Sequence, residues 1–221
     1  MANEFDPTLS ILPAEQRRLW DELGDLRDTF VLCGGTAIAL QLGHRSSVDF
    51  DFISSVSFDP DELYASTPFL KDSQPVQKSP NNLTCVVDRG GKVQVSFFGT
   101  PAVHLVFPPL VARGNRMHVA SLTDLAGMKA AVVQKRAEAK DYLDLDAIIG
   151  RGAVDLSTAL AAAKSIYGRS FNPELTLKAL CFFGNGDLPT LSAAIQGRLA
   201  AAAGAVDLSN LPNMPTAHNS R

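Results

Sequence analysis

The sequence predicts an α+β fold in which a mixed β-sheet flanked by helices is followed by a C-terminal helical bundle. In the first half, short apolar runs that stop at glycines or polar turns alternate with amphipathic segments. From residue 121 onward, Ala and Leu recur with a period near 3.6 residues, which is typical of packed helices. We therefore expect a sheet domain over residues 10–110, a helical region over 119–205 and a disordered tail over 207–221.

Each element of the first half has its own pattern. Segment 12–28 carries Pro13 at an early helical position and leucines at helical spacing, which predicts an amphipathic helix. The apolar run 29–35 predicts a strand that stops at a diglycine, and 36–43 predicts a short helix closed by Gly43. The remaining predicted elements are a strand at 47–54, a helix at 58–67, a hairpin of 82–88 with 92–98, and a strand at 102–107.

Composition excludes several classes of protein. With 46% hydrophobic residues, the 221-residue chain is too apolar to be disordered. Its net charge of -3 gives no global basic field, so any nucleic-acid surface has to be local. Three widely spaced cysteines predict buried thiols rather than a zinc site or a disulfide framework. We find no leader pattern and no run near the ~18 apolar residues of a membrane span, which predicts a cytoplasmic protein without membrane contacts.

Two acids stand out in the strand "SVDFDFIS". Strand alternation places Asp49 and Asp51 on one face and Val48, Phe50 and Phe52 on the other. Their Cα atoms are then roughly 7 Å apart at about 3.3 Å per residue, so both carboxylates can converge on one cation. The alternative is an edge strand with a solvated acidic face, which shows the same alternation.

A diglycine precedes these acids. A strand that enters a helix through Gly34, Gly35 and Thr36 exposes backbone N–H groups at a helix N-terminus, where phosphate oxygens are favoured. Glycine also allows a phosphate to approach the backbone closely. Because tight turns use glycine for purely steric reasons too, only its combination with the two acids predicts a phosphate-binding turn beside a metal-binding pair.

The string "FVLCGGTAIALQLGHRSSVDFDF" resembles the AbiEii/AbiGii toxin branch of the polymerase-beta-type nucleotidyltransferase superfamily. A second string, "LAGMKAAVVQKRAEAKDYLDLDAI" over residues 125–148, resembles that branch's Lys-bearing helix followed by an Asp-x-x-Asp-Leu helix. The resemblance spans most of residues 30–148 and implies a nucleotidyltransferase-like sheet domain. It also implies that the helical region closes the nucleotide cleft.

For the sheet domain the resemblance implies phosphate binding by Gly34, Gly35 and Thr36. It also implies that the carboxylates of Asp49 and Asp51 bind Mg²⁺ or Mn²⁺ and act in catalysis. A neighbouring cation, Arg45, is a further candidate for phosphate binding. The alternative is that it braces its own turn by pairing with an aspartate.

For the helical region the resemblance implies that Lys129 neutralises the triphosphate and that Asp141 is a catalytic residue supporting the acceptor or the metal site. Each residue has a simpler interpretation. Lys129 lies on an otherwise apolar helix and could be merely solvated. Asp141 and Asp144 lie on one helical face near Lys140 and Arg136 and could form exposed ion pairs. Only the family pattern selects Asp141 over Asp144.

One departure from the superfamily concerns the third carboxylate that many members carry on a later strand. The corresponding strand here is "KVQVSFF", whose open-face positions are Lys92, Gln94 and Ser96. None of them is acidic, and an amide or a hydroxyl is a poor general base and a weak Mg²⁺ ligand. Either another acid substitutes, with Asp141 the leading candidate, or the site binds nucleotide without efficient transfer.

The resemblance implies a Mg²⁺-dependent transfer of a nucleotide from an NTP (ATP, GTP or CTP) to an acceptor. It further implies that the chain is the toxin of a toxin–antitoxin or phage-defence system, with RNA such as tRNA as acceptor and a cognate antitoxin as partner. We expect a local basic surface for RNA from residues 111–119 with Lys135, Arg136 and Lys140. The alternatives are a small-molecule nucleotidyltransferase and an NTP-binding module without turnover.

Overall fold

The structure, a computed structural model, describes residues 3–215. Within this range eight strands form one mixed sheet, in the order β1-β7-β8-β2-β3-β6-β5-β4. The strands are β1 Glu4–Phe5, β2 Val31–Cys33, β3 Asp49–Ser54, β4 Gln74–Ser79, β5 Asn82–Asp88, β6 Lys92–Gly99, β7 Leu110–Ala112 and β8 His118–Val119. The α-helices are α1 Ala14–Trp20, α2 Gly34–Leu42, α3 Pro60–Ser66, α4 Leu122–Val132, α5 Ala139–Gly150, α6 Leu156–Tyr167, α7 Pro173–Ala179 and α8 Ala193–Gly204. The predicted α+β fold class is confirmed.

Residue contacts divide the chain into two units. One, here the sheet unit, comprises residues up to 104 together with Pro108–Ala120. The other, here the helical unit, comprises Leu105–Phe107 and the residues from Ser121 onward.

Aromatic side chains form the core of the sheet unit on one face of its central strands. Phe50 and Phe52 of β3 are fully buried, and the Phe52 ring stacks on that of Phe97 in β6 with centroids 5.4 Å apart. Trp20 from α1 lies against Phe50 at 6.3 Å between centroids. This packing fixes which face of β3 points inward, because successive side chains of a strand point to opposite faces.

Close approach of α4 and α6 defines the core of the helical unit. A Cβ atom added at Gly127 would lie 2.8 Å from the Ala163 backbone nitrogen and 3.0 Å from the Ala162 Cβ. Both alanines are fully buried. Glycine and alanine are therefore needed at this crossing, because any larger side chain would separate the two helices.

The predicted strand at 102–107 is wrong. The N–H groups of Val106 and Phe107 donate to the Asp124 carboxylate, at 2.6 and 3.2 Å, instead of joining the sheet. Three short strands, β1, β7 and β8, were not predicted because two or three residues carry no readable periodicity. The edge strand β4 was also missed, because all six of its residues are exposed and it lacks an apolar face.

The predicted tail at 207–221 lies partly outside the described residues, which end at 215. Its first part contains a short 3-10 turn at Leu208–Asn210, where the Asp207 carboxylate accepts from the Ser209 N–H at 2.9 Å. Disorder of the tail stays a prediction.

Candidate active site

Asp49 and Asp51 are the first and third residues of β3 and lie half-buried on the face opposite Phe50 and Phe52. This alternation is as predicted. The prediction for Val48 was wrong: its side chain is 51% exposed, because the residue precedes the strand and does not follow its alternation. Asp49 therefore begins the strand.

The diglycine lies directly beside one of these acids. Strand β2 ends at Cys33, which pairs with Asp51 across an antiparallel ladder, and α2 begins at the next residue. Gly34 has a φ of +72°, and a Cβ atom there would lie 3.1 Å from Asp51 Oδ2. Both the backbone conformation and the close approach favour glycine at this position. The fold thus brings a helix N-terminus and a carboxylate together, although they are far apart in sequence.

The Thr36 side chain points into the protein. It is 2% exposed, and its hydroxyl donates to the backbone carbonyl of Asp49. The same hydroxyl oxygen lies 2.7 Å from the hydroxyl oxygen of Ser47, which is also buried. The hydroxyl is therefore engaged within the protein. The predicted phosphate contact of Thr36 can be made only through its backbone N–H, which lies in the first turn of α2.

Arg45 lies in the turn between α2 and β3 and is half-buried. Its Nη1 donates to the Ser46 carbonyl at 2.9 Å, so the guanidinium takes part in bracing its own turn. This partner is a backbone carbonyl, so the alternative that Arg45 pairs with an aspartate also stays a prediction. Its binding to phosphate stays a prediction.

Strand β6 runs parallel to β3 and has no acid beside the aspartates. Asp49 pairs in register with Gln94, and Asp51 pairs with Ser96. Within residues 3–215, no group of three or more His, Cys, Asp or Glu side chains is arranged to hold a metal ion. Two carboxylates still fit Mg²⁺, which is typically held by one or two protein carboxylates together with substrate phosphates.

A cluster of four charged side chains lies in the helical unit. Lys129 of α4 contacts Asp141 Oδ1 at 2.6 Å and Asp144 Oδ2 at 2.7 Å, both from α5. Arg136 Nε lies 2.7 Å from Asp141 Oδ2. Both aspartates are fully buried, and the Lys129 side chain is 8% exposed. The alternative interpretations, a solvated lysine and exposed aspartate ion pairs, are therefore wrong, because helix packing encloses these groups.

The charges in this cluster sum to zero, from two cations and two carboxylates. Burial by itself raises the pKa of Asp141. Hydrogen bonds from Arg136 and the charge of Lys129 outweigh that effect, so the pKa of Asp141 lies below its ordinary value of 3.8. A carboxylate with a lowered pKa and both oxygens engaged is a weak proton acceptor. We therefore do not assign Asp141 the role of general base.

Sequence reasoning missed three residues around these two sites. Gln16 of α1 donates from Nε2 to the Val48 carbonyl at 2.7 Å, and nothing local in the sequence indicates this contact across 32 positions. Ser47 was predicted only as the first residue of a strand. Arg136 was considered as an exposed partner of the aspartates and as part of a basic surface, although its five-residue spacing from Asp141 across a helix start indicated a buried contact.

The predicted basic segment 111–119 is largely neutralised by neighbouring acids. Arg113 pairs with Asp6 at 3.0 Å and with Glu4 at 3.4 Å, and Arg116 lies 3.7 Å from Glu4. In the helical unit, Lys140 pairs with Glu138 at 3.0 Å. These contacts give no support to a strongly basic surface at either place.

A family model described as nucleotidyl transferase AbiEii toxin, type IV toxin–antitoxin system, matches residues 18–206. The chain belongs to the AbiEii nucleotidyltransferase toxin family. The match begins within α1 and ends just after α8, so it includes both acid pairs. This AbiEii-family chain is therefore a nucleotidyltransferase, and the predicted family is confirmed.

Other proteins resemble this chain in sequence or in fold. An uncharacterised protein of Aquifex aeolicus (strain VF5) is 28% identical over 176 residues, which is 78% of this chain and 83% of the relative. MenT4, a nucleotidyltransferase toxin of Mycobacterium tuberculosis H37Rv, has a similar fold, with a TM-score of 0.61, 17% identity, and coverage of 89% of this chain and 87% of MenT4. A protein from H. pylori assigned as a nucleotidyltransferase gives a TM-score of 0.54 at 17% identity, covering 86% of this chain and 90% of that one.

No helix in residues 3–215 of this AbiEii-family chain combines the length and the apolar character that crossing a membrane requires.

Proposed function

We propose that this AbiEii-family chain transfers a nucleotide from an NTP to an RNA acceptor of the tRNA class, with Mg²⁺ bound by Asp49 and Asp51. The observation that carries the proposal is the close approach of the Gly34 backbone to the Asp51 carboxylate at the start of α2. Phosphate-binding N–H groups and cation-binding oxygens are needed side by side to hold an NTP with its metal.

The first turn of α2 supplies the phosphate-binding groups in this proposal. The N–H groups of Gly34, Gly35 and Thr36 lie where a helix has donors without intrahelical acceptors. The positive end of the helix dipole favours an anion at the same place. Arg45 adds a positive charge close by in sequence, and we include phosphate binding by Arg45 in the proposal.

Asp49 and Asp51 provide hard oxygen ligands on one face of β3. Mg²⁺ held there would draw negative charge from the triphosphate and stabilise the pyrophosphate that leaves. In the reaction an acceptor hydroxyl oxygen forms a bond to the α-phosphorus. The bond from that phosphorus to the bridging oxygen breaks, and pyrophosphate takes the electron pair.

The acceptor hydroxyl also loses a proton. Gln94 and Ser96, which lie beside the two acids, are poor proton acceptors, so we propose that this proton passes to solvent water. Asp141 contributes by a different route. With Asp144 it holds the Lys129 ammonium, and two of the three lysine N–H groups face these carboxylates. The contact of Lys129 with the triphosphate that the family resemblance implies stays a prediction.

A small-molecule acceptor is the second candidate. It is favoured by the pairing of Arg113 with Glu4 and Asp6, because RNA binding depends on cations that can contact phosphates. As the toxin of a toxin–antitoxin pair, the chain would act in the cytoplasm and bind a cognate antitoxin. Phage defence is the biological context implied by the same resemblance.

Purified full-length chain incubated with each labelled NTP, Mg²⁺ and total tRNA tests the proposal. We expect the label to become covalently attached to RNA, and we expect EDTA to prevent this attachment. A labelled product formed equally without RNA would support the small-molecule acceptor. Binding of NTP with no product under any condition would contradict transfer by this chain.

The matched controls for this experiment are Asp49→Asn and Asp25→Asn. Asp25 is an exposed aspartate in the same unit, outside the proposed site. Both variants remove one negative charge, but only Asp49 lies in the proposed site. We therefore expect transfer to be lost in Asp49→Asn and kept in Asp25→Asn.

A further inference from the structure

The backbone at Asp49 lacks a strand neighbour on one side. Strand β3 pairs with β6 from Asp49 onward, but its ladder with β2 reaches only as far as Asp51, because β2 ends at Cys33 and turns into α2. On that side the Thr36 hydroxyl donates to the Asp49 carbonyl, in the place that a neighbouring strand would otherwise occupy. Ser47 in turn orients the Thr36 hydroxyl.

The peptide group before Asp49 is held in a similar way. The carbonyl of that peptide belongs to Val48, and it accepts a hydrogen bond from Gln16 Nε2 at 2.7 Å. The two peptide planes that flank the Asp49 Cα are thus both fixed by buried side chains, one from α1 and one from α2. Fixing these planes fixes φ and ψ of Asp49 and therefore the direction of its Cα–Cβ bond.

The contact from Gln16 to Val48 comes with a loss of stability elsewhere in the same side chain. The residue is 2% exposed, and its Oε1 is buried without a hydrogen-bond partner among residues 3–215. Such an unsatisfied acceptor is destabilising, so an apolar side chain of similar shape would suit the fold about as well. A buried group of this kind calls for an explanation other than stability.

We propose that Thr36 and Gln16 are positioning residues that aim the Asp49 carboxylate at the cation. The proposal rests on the proposed function in one respect, that Asp49 is a metal ligand. It gives the Thr36 hydroxyl a role different from the phosphate contact that the family resemblance implies.

Binding of Mn²⁺ to the full-length chain without nucleotide, measured from the free-ion electron paramagnetic resonance signal, tests the proposal. In Thr36→Val and Gln16→Met we expect the affinity for Mn²⁺ to fall about tenfold, the low end of losses seen when groups outside the ligand set are changed. The kcat for transfer should fall with it, while the KM for NTP stays constant. Thr36→Ser keeps the hydroxyl and should restore both values.

Stability separates positioning from a purely structural role. Gln16→Met removes the unsatisfied acceptor together with the donor, so its unfolding free energy should stay close to that of the wild type while Mn²⁺ affinity falls. Thr176→Val is the matched control for Thr36→Val, because the buried Thr176 hydroxyl also donates to a backbone carbonyl, that of Ala130, at 2.7 Å. It should lose stability without changing Mn²⁺ affinity.

The possible failures can be told apart. If the wild-type chain and Asp49→Asn bind Mn²⁺ equally, the proposed metal site is wrong, and the positioning proposal falls with it. If Asp49→Asn loses Mn²⁺ while Thr36→Val and Gln16→Met bind as the wild type does, only the positioning proposal is overturned. A raised KM for NTP in Thr36→Val with unchanged Mn²⁺ affinity would return the Thr36 hydroxyl to phosphate binding. Should Thr36→Val fail to fold, Gln16→Met decides alone.

Discussion

Each unit of this protein contains a pair of aspartates on one face of a secondary-structure element, and the two pairs are in opposite environments. Asp49 and Asp51 lie two residues apart on a strand and remain half-exposed. Asp141 and Asp144 lie three residues apart on a helix, are fully buried, and share the ammonium of Lys129. Both pairs satisfy the spacing rule for convergence, yet only the first is partly exposed to solvent.

Sequence spacing identifies carboxylates that can converge, but their burial determines whether they are open to a ligand or paired with cations of the protein. A buried carboxylate is tolerated when hydrogen bonds or opposite charges compensate it, and for Asp141 and Asp144 two cations of the protein provide that charge. Half-exposed carboxylates in the sheet unit keep contact with solvent and can exchange water for a cation. We therefore expect substitutions in the first pair to affect chiefly activity and those in the second to affect chiefly stability.

The largest expected effect is on transfer by Asp49→Asn and Asp51→Asn. Either change removes a carboxylate from the proposed cation site, and losing about 4 kcal/mol of charge stabilisation in the transition state slows transfer roughly a thousandfold. The unfolding free energy should stay within about 0.5 kcal/mol of the wild type, or rise slightly, because two adjacent carboxylates repel each other without a cation.

Initial rates of NTP transfer and urea unfolding curves measure these two quantities, with Asp25→Asn as the control for removal of an exposed charge. Undiminished transfer in either variant would remove that residue from the mechanism. A marked loss of stability with transfer retained would instead make the half-exposed pair structural.

The next effect is the loss of stability in Lys129→Met. This change leaves Asp144 and Asp141 buried with one fewer cation, and breaking a buried ion pair costs about 3–5 kcal/mol. Lys140→Met is the matched control, since Lys140 pairs with Glu138 on the surface and should cost less than about 1 kcal/mol. Urea unfolding measures both.

The double variant Lys129→Met with Asp144→Asn sharpens the comparison. It removes one charge of each sign, so the cluster is neutral again and part of the lost stability should return. If Lys129→Met keeps wild-type stability but binds NTP weakly, the cluster is a substrate site first, and the contrast between the two acid pairs disappears.

The smallest expected effect is a pH dependence of stability. The pKa of Asp141 is lowered in the folded protein, so its stabilising contribution is complete above its unfolded value of about 3.9 and is lost as pH falls through the lower folded value. Asn at this position cannot titrate. The difference in Tm between wild type and Asp141→Asn should therefore be constant between about pH 5 and 7 and shrink below about pH 4.

Asp124, in the same unit, has a pKa shifted in the opposite direction from that of Asp141. Burial raises its pKa, although Ser121 and the N–H groups of Val106 and Phe107 stabilise its carboxylate. Its charged form is thus disfavoured by folding, and its contribution to stability falls as pH rises from the unfolded value through the raised one. Thermal unfolding of Asp124→Asn and Asp141→Asn across this range should show opposite trends, and parallel trends would contradict the assignment of the two environments.

Much of the site could be predicted because it is local. The strand with Asp49 and Asp51, the diglycine and the short helix after it were readable from alternation and turn chemistry within about 20 residues. The close approach of Gly34 to Asp51 could not be predicted from the sequence. It depends on β2 pairing with β3 in a register that the hydrophobic faces of both strands decide together.

The sequence by itself determined the fold class, the family and the separation of β3 into an acidic face and an aromatic face. These features depend on periodicity and on motifs that the chain carries contiguously. Only the tertiary structure decided that the Thr36 hydroxyl holds the Asp49 backbone, that Gln16 reaches Val48, and that Lys129 is enclosed between two aspartates. Hydrogen bonds and ion pairs of this kind join residues from different elements. Their existence depends on burial, which no single segment can specify, since it is set by whatever packs over that segment.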